Sequence, residues 1–251
     1  MKRSGILVFA LLLFAFEVCA YPSPKTPTKK KGETSQVVDA GSFGIFIDGK
    51  RVATETFQIQ EYDGYSVTSS ELKMEDGSKA TQQGKLEVLS NGNLRKYEWH
   101  ELSPGKARAT VQPSEQFLIE RLSTEGSDKP IELAFILPPS TSVVDDYFFS
   151  HREVLLWRYI AAGCGQPSQN NQCRLGKSQF GVFVPRQQTP TMVTLEYKGS
   201  EKVQIRGAER QLDRFDLDAD GLNWSFWVDS ADRYKLVRIL VASEKTEVVR
   251  D

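Results

Sequence analysis

The chain is poor in the residues that most reactive sites require. Of 251 residues, two are histidine, His100 and His151, and three are cysteine. The histidines lie far from each other and from any cysteine, so no zinc-finger or H-E-x-x-H spacing exists and no metal site is expected. No G-x-S-x-G elbow and no glycine-rich phosphate loop occurs, so neither a serine hydrolase nor a nucleotide enzyme announces itself. Thirty-two basic residues stand interspersed among 33 acidic ones for a net charge of −1, which removes the electrostatic case for a nucleic-acid partner. The longest apolar run, Ile6 to Phe16, falls well short of the ~20 residues that span a bilayer. These absences together point away from an enzyme and from any cofactor.

What the chain does have begins at its N-terminus. Lys2 and Arg3 precede the apolar run, and Val18 and Ala20 stand at the small-residue spacing that a signal peptidase reads, so residues 1 to 20 are expected to be a cleaved secretory signal peptide. Cys19 follows Phe16, Glu17 and Val18, which does not suit a lipidated terminus. Residues 21 to 40 begin "YPSPKTPTKKKGETSQ", a proline- and lysine-rich stretch that cannot build a core and reads as a disordered leader. The expected location is therefore periplasmic or secreted, with no transmembrane segment left after cleavage.

Cleavage removes Cys19 and leaves Cys164 and Cys173 in "AAGCGQPSQNNQC". An even pair in an exported chain most often forms a disulfide. Metal ligation lacks partners, and a reactive thiol lacks basic neighbours beyond Arg174.

From residue 41 to 251 the pattern is that of one β-rich domain. Asp48-Gly49, Asp63-Gly64, Asp76-Gly77 and Asn91-Gly92 are hairpin signals flanked by β-prone residues, because both turn positions must tolerate positive φ. Their spacing leaves strands of about eleven to thirteen residues, roughly 35 to 40 Å at ~3.3 Å per residue, and a meander of such strands must coil. Later strands are expected in "ARATVQP", "EQFLIERLS", "PIELAFILPP", "QFGVFVP", "TMVTLEYKG", "EKVQIRG", "LNWSFWVD" and "YKLVRILVAS". The fold class is mainly β: a strongly curved antiparallel sheet, an open or partial barrel, with one main helix on its concave face. Two strands break the alternation, with Glu55 in parity with Ala53, Phe57 and Ile59, and Lys96, Glu98 and His100 in parity with Leu94 and Leu102.

The helix is expected in "SHREVLLWRYIAA", residues 150 to 162, with Ser150 and Glu153 at capping-box spacing and Gly163 as its stop. Between Val154 and Ala162 only Arg158 is charged, so the helix is apolar nearly all round and belongs inside the sheet. Either it fills the core or it lids a cavity, with glycines 163 and 165 and the loop after them as a hinge. Amphipathic aromatics at Trp99, Trp157, Tyr159, Trp224 and Trp227 suit a ligand wall. The favoured ligand-binding residues are His151, Trp157 and Arg158 on the helix. "DLDADG" places Asp216, Asp218 and Asp220 at the first spacings of a calcium loop, but Trp227 stands where the twelfth-position glutamate belongs, so a hairpin is the better reading.

The segments "GIFIDGKRVATETFQI", "LAFILPPS", the helix from Ser150, "FGVFVP" with "VTLEYKGSEKVQI", and the closing "DLDADGLNWSFWVDSADRYKLVRILV" resemble uncharacterised exported bacterial β-rich proteins known as domains of unknown function. These are similar to periplasmic lipoprotein-carrier half-barrels, which implies a cavity for acyl chains under covering helices. The function expected is an exported, non-enzymatic binding, carrier or chaperone-like module of the cell envelope for an apolar or acyl-chain ligand. Two alternatives stand beside it: a structural or protein-interaction envelope protein, and a hydrolase whose acid and base are Glu55 and Glu98.

Overall fold

The computed structural model describes residues 34–78, 80–126, 129–164, 173, 175–219 and 221–251. The expected signal peptide, most of the leader and the loop at 165–172 lie outside these. Strands run β1 (Gln36–Ile47), β2 (Lys50–Tyr62), β3 (Tyr65–Met74), β4 (Thr81–Leu89), β5 (Leu94–Ser103), β6 (Arg108–Ser114), β7 (Phe117–Ser123), β8 (Ile131–Ile136) and β9 (Ser142–Val143). The helix α1 (Ser150–Cys164) follows, then β10 (Ser178–Val184), β11 (Thr189–Ile205), β12 (Ala208–Ala219), β13 (Leu222–Asp229), β14 (Lys235–Val241) and β15 (Thr246–Arg250).

All fifteen strands belong to one sheet in the order 8-7-6-5-4-3-2-1-15-14-13-12-11-10-9. Two meanders are thus joined where the first and last strands pair, antiparallel, with Phe43 opposite Arg250 and Ile47 opposite Thr246. A sheet this wide must coil, because the twist of each strand accumulates. It coils until its ends approach through side chains: the ring of Phe135 on β8 packs on Phe183 of β10 with centroids 4.7 Å apart. The result is an open, barrel-like sheet with α1 in its concave face.

The hairpin signals explain the register of the first meander. At the β1–β2 turn both Asp48 (φ 49°) and Gly49 (φ 75°) adopt positive φ, the geometry that a tight two-residue turn demands. Its consequence is that Ala53, Glu55, Phe57 and Ile59 face inward and are buried. Strand β1 starts at Gln36, so residues 36 to 40 are sheet rather than leader.

Three further expectations change. "TMVTLEYKG" and "EKVQIRG" are one continuous strand, β11, with a bulge between Tyr197 and Gly199 opposite Arg214. Strand β12, which the charge-rich "AERQLDRFDLDA" hid from periodicity, completes that hairpin. The bulge switches the faces of β11: Val193 and Leu195 join the main core, whereas Val203 and Ile205, of the same parity, pack with Leu212, Trp227, Val237 and Val249 in a second, smaller core. In β5 a bulge opposite Glu87 and Val88 likewise resets the parity, so Tyr97 and Trp99 are buried while Lys96, Glu98 and His100 take the other face.

The helix runs past Gly163 to Cys164. Its sequence-level capping box does not form. Ser150 instead donates its hydroxyl to Glu55 Oε1 (2.7 Å), and Glu153 reaches Arg250. No described helix is long and apolar enough to cross a membrane.

Candidate functional site

Two features sit under α1: a buried polar cluster at its N-terminus and a cavity along the rest of it. The cluster is built from the sheet outward. Glu55 of β2 accepts the backbone N–H of Phe149 (2.6 Å) and of Ser150 (3.3 Å) besides the Ser150 hydroxyl. These are the donors that a helix start leaves unpaired, and a carboxylate suits the positive end of the helix dipole. Burial nevertheless pushes the Glu55 carboxyl up to about 6, against the hydrogen bonds from Ser150 and Phe149 that favour its charged form.

Beside it, Tyr97 of β5 donates its phenolic hydroxyl to the buried Asp145 (2.5 Å), and Arg186 pairs with the same carboxylate at 3.4 Å. The Asp145 N–H donates to His151 Nδ1 (3.2 Å), so the proton of the neutral imidazole resides on Nε2. Burial, aided by the neighbouring Arg152 charge, lowers His151 to about 3 and keeps it neutral. Arg152 is buried too, donating to the carbonyls of Asp145 and Phe148 while its guanidinium lies over the rings of Phe149 and Trp224.

Along the helix, a cavity of about 830 Å³ opens between α1 and strands β1 to β5. Its wall is mostly apolar, including Val38, Ile59, Leu86, Val88, Leu94 and Val143. The volume and the apolar lining are those of a small-molecule site, typically ~300 to 1,000 Å³. From the helix come His151, Val154, Leu155, Arg158, Ala161 and Ala162, an i, i+3, i+4, i+7 stripe on one face, with Trp157 at its flank.

All three residues favoured from the sequence therefore border the cavity. His151 is buried, at 1 % exposure. Trp157 is half-buried and donates Nε1–H to the carbonyl of Tyr234 (3.2 Å). Arg158 donates to Ser142 Oγ (2.6 Å) and is displaced below its usual pKa by burial. Of the wider aromatic wall, Trp157 alone is there. Trp99 bonds Gln82, Tyr159 fills the core against Phe215, Trp224 stacks with Arg152, and Trp227 belongs to the second core.

The paired-carboxylate alternative does not survive the geometry. Glu55 is on the concave face, sealed at the helix start, whereas Glu98 is on the opposite face, partly exposed and paired with Lys96 at 2.7 Å. The calcium-like stretch is the β12–β13 hairpin, with Asp216 held by Arg214 and Ser225. Among the described residues no three His, Cys, Asp or Glu side chains group as a metal site. Cys164 and Cys173 are joined by a disulfide directly after the helix.

Sequence reading missed Asp39, Tyr97, Asp145 and Arg250. The one local signal was "VVDDYFF", two acids embedded among apolar and aromatic residues. It also missed Glu120 on β7, whose two carboxyl oxygens are buried without a hydrogen-bond partner and whose pKa burial raises to about 7.

Comparison with known proteins bears on the fold. No family model and no curated protein sequence matches the chain. Among solved structures it is similar to a beta-barrel-like protein of domain of unknown function DUF1849 from Brucella abortus, with a TM-score of 0.51 at 10% identity. The match covers 84% of this chain and 94% of that one. At that identity the likeness is one of architecture, and it agrees with the resemblance to uncharacterised β-rich proteins.

Proposed function

We propose that the chain is a non-enzymatic binding module of the cell envelope, exported by its N-terminal segment, that carries an apolar ligand of the acyl-chain class between α1 and the sheet. The observation that carries this reading is the cavity of about 830 Å³ with its predominantly apolar wall. The helix that forms one side of it is held at its N-terminus by Glu55, Asp145 and Arg250, so the walls are set before any ligand arrives. A preformed site loses less affinity to ordering on binding. The disulfide is in keeping with an oxidising compartment. The buried ionisable groups at the helix start are each engaged in holding structure, which favours binding over catalysis.

The test is a thermal-shift titration of the mature protein with fatty acids and single-chain detergents of increasing length. Ligand that binds only the folded state raises the melting temperature with concentration. Val88→Phe, which adds a ring to the cavity wall, should abolish that rise while costing no more than about 1 to 3 kcal/mol of basal stability. No shift with any chain length in the wild-type protein would overturn the reading and leave a structural or protein-partner role in its place.

A further inference from the structure

Within the mostly apolar lining, one polar side chain among the described residues is fully buried: His151. Its Nδ1 is occupied by the Asp145 N–H, so Nε2 carries the hydrogen, and Nε2 has no hydrogen-bond partner. A buried donor left without an acceptor is costly, so an occupant that supplies an acceptor there gains a hydrogen bond at the point where the protein offers none. The ring is fixed by its edge contact with Tyr97 and its packing against Phe148, so the donor cannot turn elsewhere.

Two turns further along the same helix face stands Arg158, about 10 Å away by the helical rise of seven residues. Arg158 spends one N–H on Ser142, leaving further donors in its fork. Arg233, exposed on the same lining, has no ion-pair partner among the described residues. Among the described residues Glu61 is the one carboxylate on that wall, so two guanidinium groups outweigh it. Between His151 and Arg158 the helix presents Val154 and Leu155.

We infer that the cavity selects a single-chain anionic amphiphile whose head group sits against Arg158 and Arg233 and whose chain carries a hydrogen-bond acceptor at mid-length, facing His151 Nε2–H. This deepens the proposed function and rests on it. Mid-chain hydroxylated fatty acids have that chemistry. A carboxylate and a lipid phosphate offer the same charge at the head, and the experiment separates them.

Binding of octadecanol, stearate, 10-hydroxystearate and stearoyl lysophosphatidate is measured by tryptophan fluorescence on the mature wild-type protein. Stearate should bind more tightly than octadecanol, and 10-hydroxystearate about tenfold more tightly than stearate, the value of one hydrogen bond to a buried donor. A stronger response to the lysophosphatidate than to stearate makes the preferred head group a phosphate and supports the same assignment. Arg158→Gln should erase the preference for an anion over the alcohol without erasing the hydroxyl preference. His151→Phe should erase the hydroxyl preference, read within that variant as the ratio of 10-hydroxystearate to stearate affinity, without erasing the preference for an anion over the alcohol. If all four ligands bind alike, the cavity is a generic apolar site, and this inference fails while the proposed function stands. If none binds, the proposed function itself fails. The wild-type comparison needs no variant, so a variant that does not fold leaves the test intact.

Discussion

Arg250, next to the last residue of the chain, forms a two-pronged ion pair with Asp39 in the first strand, and the same guanidinium lies 3.3 Å from Glu153 in the helix. Three distant parts of the chain meet at this one side chain, which also lies over the rings of Phe43 and Phe57. Burial raises the Glu153 carboxyl well above the ordinary carboxylate range. Burial acts on Asp39 in the same sense, yet its bonds to Arg250 and Glu153, with the charges of Arg250 and Lys235, hold it below the ordinary range. Arg250→Met leaves the buried Asp39 carboxylate with Lys235 alone, 3.6 Å away, and breaking a buried pair typically costs about 3 to 5 kcal/mol. Urea unfolding at pH 7 measures it. Arg250→Lys should recover part of the loss, because a single ammonium cannot reproduce the fork. A cost below about 1 kcal/mol for Arg250→Met would show that the pair does not clamp the helix to the sheet, since that is the scale of an exposed pair.

Glu55 should make stability fall as pH rises through the mildly acidic range. Its carboxyl moves from 4.5 to about 6 on folding. A raised folded-state value means that its contribution is complete below pH 4.5 and is lost as the pH climbs to 6. A shift of that size corresponds to about 2 kcal/mol at 1.36 kcal/mol for each pH unit. Glu120, Asp145 and Glu153 are raised and slope the same way while Asp39 is lowered and slopes the other way, so the informative quantity is the difference between wild type and Glu55→Gln in denaturant unfolding at closely spaced pH values. The variant should be flatter between pH 4.5 and 6. Parallel curves would refute the assignment.

Gly84, in the middle of β4, should tolerate no side chain. A Cβ built there would come within 2.7 Å of Phe148 Cδ2, and Phe148 is completely buried just ahead of the helix. Gly84→Ala forces that ring out of place, an overpacking cost of about 1 to 3 kcal/mol. The shift in urea midpoint reads it, and the double change Gly84→Ala with Phe148→Leu should recover part of the loss. An unchanged midpoint in the single variant would mean that Phe148 has room to move.

The Cys164–Cys173 disulfide closes a ten-residue loop at the end of α1. In the chain-entropy account, a closure of that length is worth about 2 to 3 kcal/mol. Replacing both cysteines with serine should lower stability by that much. Mass spectrometry of protein purified without reductant should find neither thiol open to alkylation, and two alkylated thiols would contradict the bond.

Much of the architecture was legible before any coordinates. Asp-Gly and Asn-Gly pairs set hairpins because positive φ is a local requirement, and an apolar helix must be buried whatever surrounds it, so both could be read from neighbouring residues alone. His151, Trp157 and Arg158 could be nominated for the same reason: they lie on the one helix with no solvent face to spare. The faces of the sheet were not legible wherever a bulge intervened. A single extra residue between Tyr197 and Gly199 or between Leu94 and Lys96 reverses every side chain beyond it, and nothing in the local composition marks the place. Glu55 and Glu98 look equivalent by alternation, and only the β5 bulge separates them to opposite faces. The polar cluster was hidden for a different reason. Asp39 and Arg250 stand 211 residues apart, and a buried ion pair between them exists only because the sheet brings its first and last strands side by side. The cavity, too, belongs to the tertiary structure alone: its volume is the space left when a coiled sheet closes around a helix that does not fill it.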